Sequence, residues 1–383
     1  MNWEIEQAKN GQSTLKLNGI YLYSKYDPER EVIKFLNQEL KKNQKKFLII
    51  GLGLGYHIQY ILKVIPNAEI QYILLDEKEE RICNQDILLN KQVNKFCAKN
   101  LIDKQTQIII PQSFLSALNK NHSLYQFIED IKIRQVSYER FKNLMAQNFY
   151  ENLRIFSPLV KVQAQSNKAA LVSSGPSLNE TIHWLKKYEE EFDIYCVGSA
   201  LKILLNANIV PKKVFMIDAQ DTMIEQICGN YSGDLVCLST ANYKAIKKHL
   251  GIKQIIFQEG YELAEDFARK NKQPLFETGG SVATTAFSFI KWIGYESLYL
   301  FGQDLGFTGR QTHASFSTSG READTNEKFQ TLISNDGTEI FTTSNLASYK
   351  RWFDREFKKT SIQIYNTAKK GAFIEGTKFF DIQ

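Results

Sequence analysis

One recurring unit restricts this chain more than any other feature. A short apolar run breaks at a glycine, a serine or an acid and passes directly into a helical pattern. KKFLIIGLGLGYH, KAALVSSGPSLNE, DIYCVGSA, KVFMIDAQD and SLYLFGQD are its instances, spread from Lys45 to Asp304. Strands this short and this apolar are buried on both faces, and their alternation with helices builds a mostly parallel sheet. In such sheets ligands collect beyond the carboxyl ends of the strands. The fold class is therefore α/β, with two Rossmann-like domains, the second a doubly wound, mostly parallel sheet. A chain of 383 residues exceeds the comfortable size of one core. We place the first domain at residues 1–112, a helical connector at 113–166 and the second domain at 167–383. The connector's aromatics, among them Tyr138, Phe141 and Phe149, read as packing.

In the first domain a strand from Lys46 to Ile50 enters Gly51-Leu52-Gly53-Leu54-Gly55 and a helix over Tyr56–Val64. A second strand, Ile70 to Leu75, ends in Asp76, where an acid often holds a ribose hydroxyl. The GxGxG spacing is closer to the nucleoside turn of S-adenosylmethionine-dependent methyltransferases than to a nicotinamide site. The competing reading is a Rossmann scaffold that binds nothing, with His57 packed on the first helical turn. Gln105 to Ile110 reads as a further strand.

The second domain offers more chemistry. Gly175-Pro176-Ser177-Leu178 sits between a strand and a helix, where free N–H groups and the helix dipole favour an anion. Gly198-Ser199 opens another helix. Asp218 and Asp221 follow a strand and either hold a ribose or a metal, or cap a helix over Thr222–Cys228. Thr278-Gly279-Gly280-Ser281 precedes a helix that Ser281 caps and Gly294 closes. The strand Ser297–Phe301 then delivers Asp304 just past its end, and His313 follows in a Gly/Thr-rich loop. Gly175, Ser199, Asp218, Gly279 and Asp304 thus share one edge, and one cleft would account for all of them.

Composition narrows the partners. The net charge of +6 comes from 48 basic and 42 acidic residues with no long basic run, so a nucleic-acid partner is not expected. Apolar runs are too short for a bilayer, and no membrane partner is expected. The amino terminus, MNWEIEQAKN, has no basic region followed by an apolar core. Cys83, Cys97, Cys196, Cys228 and Cys237 form no CxxC pair and point to reduced thiols in the cytoplasm.

Together, SSGPSLNE, FMIDAQD, TGGSVATTAF, LFGQDLGFTGRQTHA and YNTAKKGAFIEG, in this order, resemble the motility-associated factor (Maf) proteins, the flagellin glycosyltransferases. The GLGLGYH turn belongs to the same resemblance. The second domain is also similar to bacterial sialyltransferases that use CMP-activated sugars. The resemblance implies that Gly175, Pro176, Ser177, Ser199 and Asp218 hold the cytidine nucleotide, and that Thr278, Gly279, Gly280 and Ser281 flank the phosphate and sugar. It implies a CMP-activated nonulosonic sugar of the pseudaminic or legionaminic type as donor, with no further cofactor and no metal. The acceptor it implies is a Ser/Thr hydroxyl of flagellin or a similar protein. The sialyltransferases carry asparagines where this chain has Gly198/Ser199 and Asp218.

Such a transfer needs a base to take the acceptor's proton, and a histidine serves at neutral pH. His313 is the candidate base, with Asp304 orienting the site; the alternative is a structural loop histidine. The same domain family includes archaeal hydroxymethylpterin diphosphokinases, which use ATP and magnesium, and Asp218 with Asp221 would suit that metal. A nucleotide-binding protein without activity is the third reading.

Overall fold

A computed structural model of the chain describes residues 1–96, 106–119, 122–161, 164–319, 322–323 and 329–382. Cys97 and Gln105, the first residue of an expected strand, lie outside these. The chain divides into two compact units, Met1–Asp130 and Ile131–Gln383, each around its own hydrophobic core.

The first unit opens with a small antiparallel sheet, β1 (Trp3–Gln7), β2 (Ser13–Leu17) and β3 (Ile20–Tyr21), followed by α1 (Pro28–Glu39). Its Rossmann-like part contains β4 (Lys46–Ile50), α2 (Tyr56–Val64), β5 (Glu69–Ile73), the single turns α3 (Glu79–Ile82) and α4 (Gln85–Leu88), β6 (Val93–Lys95) and β7 (Thr106–Ile109). These strands form a parallel sheet in the order β6-β5-β4-β7. α5 (Gln112–Ala117) follows, and then α6 (Ser123–Leu153), a helix of 31 residues that ends in the second unit.

In the second unit the strands are β8 (Lys168–Val172), β9 (Asp193–Val197), β10 (Lys213–Met216), β11 (Asp234–Leu238), β12 (Lys253–Gln258), β13 (Leu275–Phe276), β14 (Ser297–Phe301), β17 (Gln363–Asn366) and β18 (Thr377–Phe379). A short antiparallel hairpin, β15 (Gln330–Ile333) with β16 (Glu339–Thr342), stands apart from them. Helices α7 (Leu178–Lys187), α8 (Gly198–Asn206), α9 (Tyr243–Lys248), α10 (Glu262–Lys270), α11 (Val282–Ile293) and α12 (Ser344–Phe357) fill the connections. The nine-stranded sheet runs β13-β12-β11-β10-β9-β8-β14-β17-β18, parallel throughout.

The register shows that both faces are covered. Tyr299 lies opposite Ala170, and Ala170 opposite Ile194, so Phe301 and Tyr195 point to opposite faces. Phe301 stacks on Trp184 of α7, whereas Tyr195 meets Phe289 of α11. The strands are apolar on both sides because helices wait on both sides. The chain leaves β8 toward β9 and later returns to place β14 on β8's other flank, so the direction of winding reverses between β8 and β14.

Two expectations need correction. Asp221–Gln226 is a 3-10 helix, not the expected α-helix over Thr222–Cys228, and its cap makes no side-chain hydrogen bond. Asp218 instead accepts from the Gln220 N–H at 2.9 Å, while Asp221 accepts from Asn242 Nδ2 at 2.9 Å and pairs with Lys244. The carboxyl-terminal half of α6 is also more than a connector. Asn148 and Asn152, one turn apart, are buried and donate to the carbonyls of Ala219 and Thr240, and of Ser239 and Ala241, at 2.8–3.1 Å. They pin the loops that follow β10 and β11, including the one that carries Asp218.

Removing the Asn152 amide takes the side-chain donor from the Ser239 and Ala241 carbonyls, and removing that of Asn148 takes it from Thr240, while Ala219 keeps Asn242 as a donor. Asn148→Ala and Asn152→Ala are each expected to destabilise the second unit by about 2 kcal/mol, the usual cost of buried polar groups left unpaired. Urea unfolding checks this; a loss below about 0.5 kcal/mol, the range of an ordinary surface change, would contradict it.

Candidate active site

The crevice between the carboxyl ends of β8 and β14 is where an open α/β sheet binds its ligand. Asp304 dominates it. Its side chain is 5% exposed; Oδ1 accepts from the Ser177 N–H at 3.2 Å and Oδ2 from the Ser177 hydroxyl at 2.8 Å. A Cβ on residue 175 would overlap this carboxylate and the Gly302 carbonyl, so the turn needs glycine for close approach. Burial pushes the Asp304 carboxyl up to about 6, against the pull of the two Ser177 hydrogen bonds. The amino terminus of α7, which reads in the sequence as an anion site, is thus filled by the protein's own carboxylate. Asp304 is a positioning group that locks the Gly175-Pro176-Ser177 turn to the end of β14. Ala372 N–H donates to the Asp304 carbonyl at 2.7 Å, so the YNTAKKGAFIEG segment buttresses it from behind.

Beside this lock lie further polar groups, with Ser174 buried and Ser199 partly exposed. The first turn of α8 has no side-chain cap, and the Ser199 hydroxyl lies 2.8 Å from that of Ser174. The His313 loop folds back onto the same place: Ala314 N–H donates to the Ser174 carbonyl at 2.8 Å, and Ser315 N–H to Asn179 Oδ1 at 3.0 Å. Burial lowers the His313 pKa, so the imidazole is neutral at pH 7. Its Nδ1 lies 3.0 Å from the Thr312 hydroxyl. Ser174, Ser199 and Asp218 follow β8, β9 and β10 in turn, on strands spaced about 4.8 Å apart.

The Thr278–Ser281 turn follows the edge strand β13 and lies against α12. Ser281 and Thr284 form a reciprocal capping box at the start of α11. A Cβ on Gly279 would overlap the Trp352 ring, and one on Gly280 would lie 3.3 Å from Tyr349 Cε1. Trp352 Nε1–H donates to Glu277 Oε1 at 3.2 Å. Asp218 is close enough to Tyr349 to add its charge to the burial that raises the phenol's pKa. The sequence reading missed Tyr349 and Trp352. Their signal was present in SNLASYKRWFDREF, an amphipathic pattern behind Thr343, whose side chain caps it. Among the described residues no group of three or more His, Cys, Asp or Glu side chains is placed to hold a metal.

The glycine turn of the first unit is a different matter. A Cβ on Gly51 would overlap Phe114, one on Gly53 Tyr23, and one on Gly55 Ile87. Glu79, fully buried, accepts the Gly53 and Leu75 N–H groups at 2.8 Å. Tyr23 and Phe114 each stand 5.6 Å, ring to ring, from His57, which burial holds neutral with a pKa of about 3. Asp76 accepts from the Lys78 N–H at 3.0 Å and lies 3.6 Å from the terminal amine. The three glycines thus pack against side chains of the unit's own core, and the Gly53 N–H is taken by a buried glutamate.

Two outcomes follow from these sites. Millimolar S-adenosylmethionine is expected to leave the melting temperature unchanged, because the glycine turn packs on Phe114, Tyr23 and Ile87 and Glu79 takes the Gly53 N–H; stabilisation by it would contradict this. Asp304 has a folded pKa of about 6 against an ordinary 3.8, so the folded protein holds a proton the unfolded chain releases. Stability relative to Asp304→Asn is expected to fall as pH rises from about 3.8 to about 6. Parallel Tm–pH curves for the two proteins would contradict it.

Comparison with known proteins agrees with this geometry at the level of fold. Residues 143–310 match the family described as MptE-like, 6-hydroxymethylpterin diphosphokinase MptE-like. No curated protein sequence matches the chain. Among solved structures, the Maf glycosyltransferase from Magnetospirillum magneticum AMB-1 superposes with a TM-score of 0.55 at 14% identity, over 99% of this chain and 70% of that one. The chain is therefore similar in fold to a Maf glycosyltransferase, the family its motifs resemble, and carries an MptE-like segment in its second unit.

Proposed function

We propose that the second unit is a glycosyltransferase. It moves a nonulosonic sugar, of the pseudaminic or legionaminic type, from a CMP donor to a Ser/Thr hydroxyl of flagellin or a similar protein acceptor. The observation that carries this reading is the neutral His313, on a loop fastened to Ser174 at the crevice where the sheet reverses. The likeness to a glycosyltransferase fold supports it. Free, buried Cys83, Cys196 and Cys237 fit a cytoplasmic protein, and no helix among the described residues is long and apolar enough to cross a membrane.

The step is a substitution at the anomeric carbon. The acceptor oxygen forms the new bond to that carbon while the bond to the phosphate oxygen breaks, and CMP leaves with the electron pair. His313 takes the acceptor's proton on Nε2, in the tautomer whose Nδ1–H donates to the Thr312 hydroxyl 3.0 Å away. N–H groups at the first turn of α8, which no side chain caps, with the Ser174 and Ser199 hydroxyls, stabilise the departing phosphate. Asp304 does not touch the reacting atoms in this scheme; it holds the Gly175 turn in place.

His313→Ala is expected to reduce acceptor-dependent CMP release by on the order of a hundred-fold or more, the usual contribution of a general base. Because the wild-type pKa lies below the ordinary 6.5, wild-type activity is expected to fall only as pH drops below that value. Unchanged CMP release in the variant would remove His313 from the mechanism.

The match over residues 143–310 favours a second reading, an ATP- and magnesium-dependent diphosphokinase acting on a hydroxymethylpterin. Incubation with a CMP-sugar and acceptor, or with ATP, magnesium and a pterin, separates the two. Turnover is expected only in the first; AMP formed with pterin in the second would reverse the assignment.

A further inference from the structure

Gln303 carries donors that the proposed reaction leaves unused. It is the residue before Asp304 and is buried. Its Oε1 accepts from the Ser173 hydroxyl at 2.7 Å, which joins the residues just past the ends of β14 and β8. That bond fixes the amide: the oxygen is taken, and the two N–H donors of Nε2 face away from Ser173. Nothing among the described residues accepts from Nε2, and the atom keeps contact with solvent. The backbone enforces this arrangement. Gly302 and Leu305 both have positive φ, 62° and 52°, the second a conformation that a bulky side chain rarely adopts. Between these two turns the side chains part, Asp304 going to Ser177 and Gln303 to Ser173. The Thr342 hydroxyl holds the second turn by donating to the Leu305 carbonyl at 2.8 Å. Backbone strain of this kind persists only where its surroundings impose it, and it gathers at ligand sites.

Position selects the group these donors meet. Ser173 continues the β8 ladder, its N–H donating to the Phe301 carbonyl. Two residues earlier Leu171 lies opposite Tyr195, which meets Phe289 of α11. Ser173 and Gln303 therefore join on the α11 side of the sheet, the side on which the Thr278–Ser281 turn opens that helix. The Ser174–Ser199 hydroxyl pair spans the ends of β8 and β9, and the Ser173–Gln303 pair spans those of β8 and β14. The two pairs are centred one strand apart, about 4.8 Å. With the departing phosphate on the first pair, the anomeric carbon and its substituents lie toward the second. In a nonulosonic sugar that carbon bears a carboxylate as well as the phosphate oxygen. The carboxylate is thus the first acceptor beyond the leaving oxygen, and an N–H donating to it makes a charge-assisted hydrogen bond.

We propose that Gln303 is the residue that makes the site specific for a sugar acid: its Nε2 donates to the carboxylate on the anomeric carbon of the donor. This rests on the CMP-nonulosonate reading given above. The Ser173 hydroxyl sets which end of the amide faces the sugar.

The test is calorimetric titration of the full chain with CMP, with CMP-pseudaminate and with CMP-legionaminate, using wild type, Gln303→Met and Gln303→Glu. Gln303→Met keeps the side chain's length without its donors. Gln303→Glu keeps an acceptor for Ser173 and turns a carboxylate oxygen toward the sugar. Gln303→Met is expected to weaken binding of the CMP-sugar by about ten-fold, the worth of one hydrogen bond to a charged group, and Gln303→Glu by more. Both are expected to bind CMP within about two-fold of wild type, since CMP has no such carboxylate. Variants that bind the CMP-sugar as wild type does overturn the role of Gln303 and leave the donor reading intact. Variants that lose CMP and CMP-sugar affinity in equal measure overturn it too, because a purely structural residue would do the same. A wild type that binds neither CMP-sugar overturns both the role and the donor reading.

Discussion

The Asp304 carboxylate holds the second unit's binding edge together. It comes from the end of β14, crosses the place where the sheet reverses, and accepts two hydrogen bonds from Ser177 at the start of α7. A buried charge is costly unless hydrogen-bonded, and here the helix terminus supplies both donors and a favourable dipole. Everything nearby is arranged around that contact. Gly175 has no side chain because the carboxylate occupies its space. Ala372 braces the Asp304 backbone, and the His313 loop ties onto Ser174, one residue before Gly175. With one helix terminus satisfied internally, the neighbouring polar groups are the first turn of α8, which has no side-chain cap, and the Ser174–Ser199 hydroxyl pair.

The two units surround the same architecture with different side chains. Each has a parallel sheet with a reversal point and a glycine turn at the end of a central strand. In the first, Tyr23, Phe114, Ile87 and Glu79 fill the turn, and its N–H groups are spent on a buried glutamate. In the second, a single carboxylate fills one helix terminus while hydroxyls and an aspartate remain open along the next two strands. What decides between scaffold and site is not the glycine pattern but which side chains later segments bring to it.

That distinction explains what could be read from the sequence. The strand that ends at Ile50, the helix over Tyr56–Val64, the cap at Ser281 and the stop at Gly294 follow from local pattern, and the structure has them at those residues. The α/β class follows from their alternation. Asp304 was legible as an acid at a strand end, but its commitment to Ser177 was not, because the two are 127 residues apart. Asn148 and Asn152 fall in the segment expected to be a connector, and their carbonyl partners lie in loops 71 to 92 residues on. Tyr349 was missed for a plainer reason: its helix carries no glycine or strand-end acid to mark it. The helix expected over Thr222–Cys228 tightened into a 3-10 turn, because Asp218 and Asp221 bond to Gln220 and Asn242 rather than to its first N–H groups.

The central claim is that one nucleotide site exists and that it lies along the ends of β14, β8, β9 and β10. Backbone amide NMR of the full chain during titration with CMP tests it most directly. The expected result is saturable shifts at Ser174, Gly175, Ser199, Asp218 and Gly280, with the signals of Gly51, Gly53 and Gly55 unmoved. Shifts confined to Gly51–Gly55 would place the nucleotide in the first unit and contradict the account.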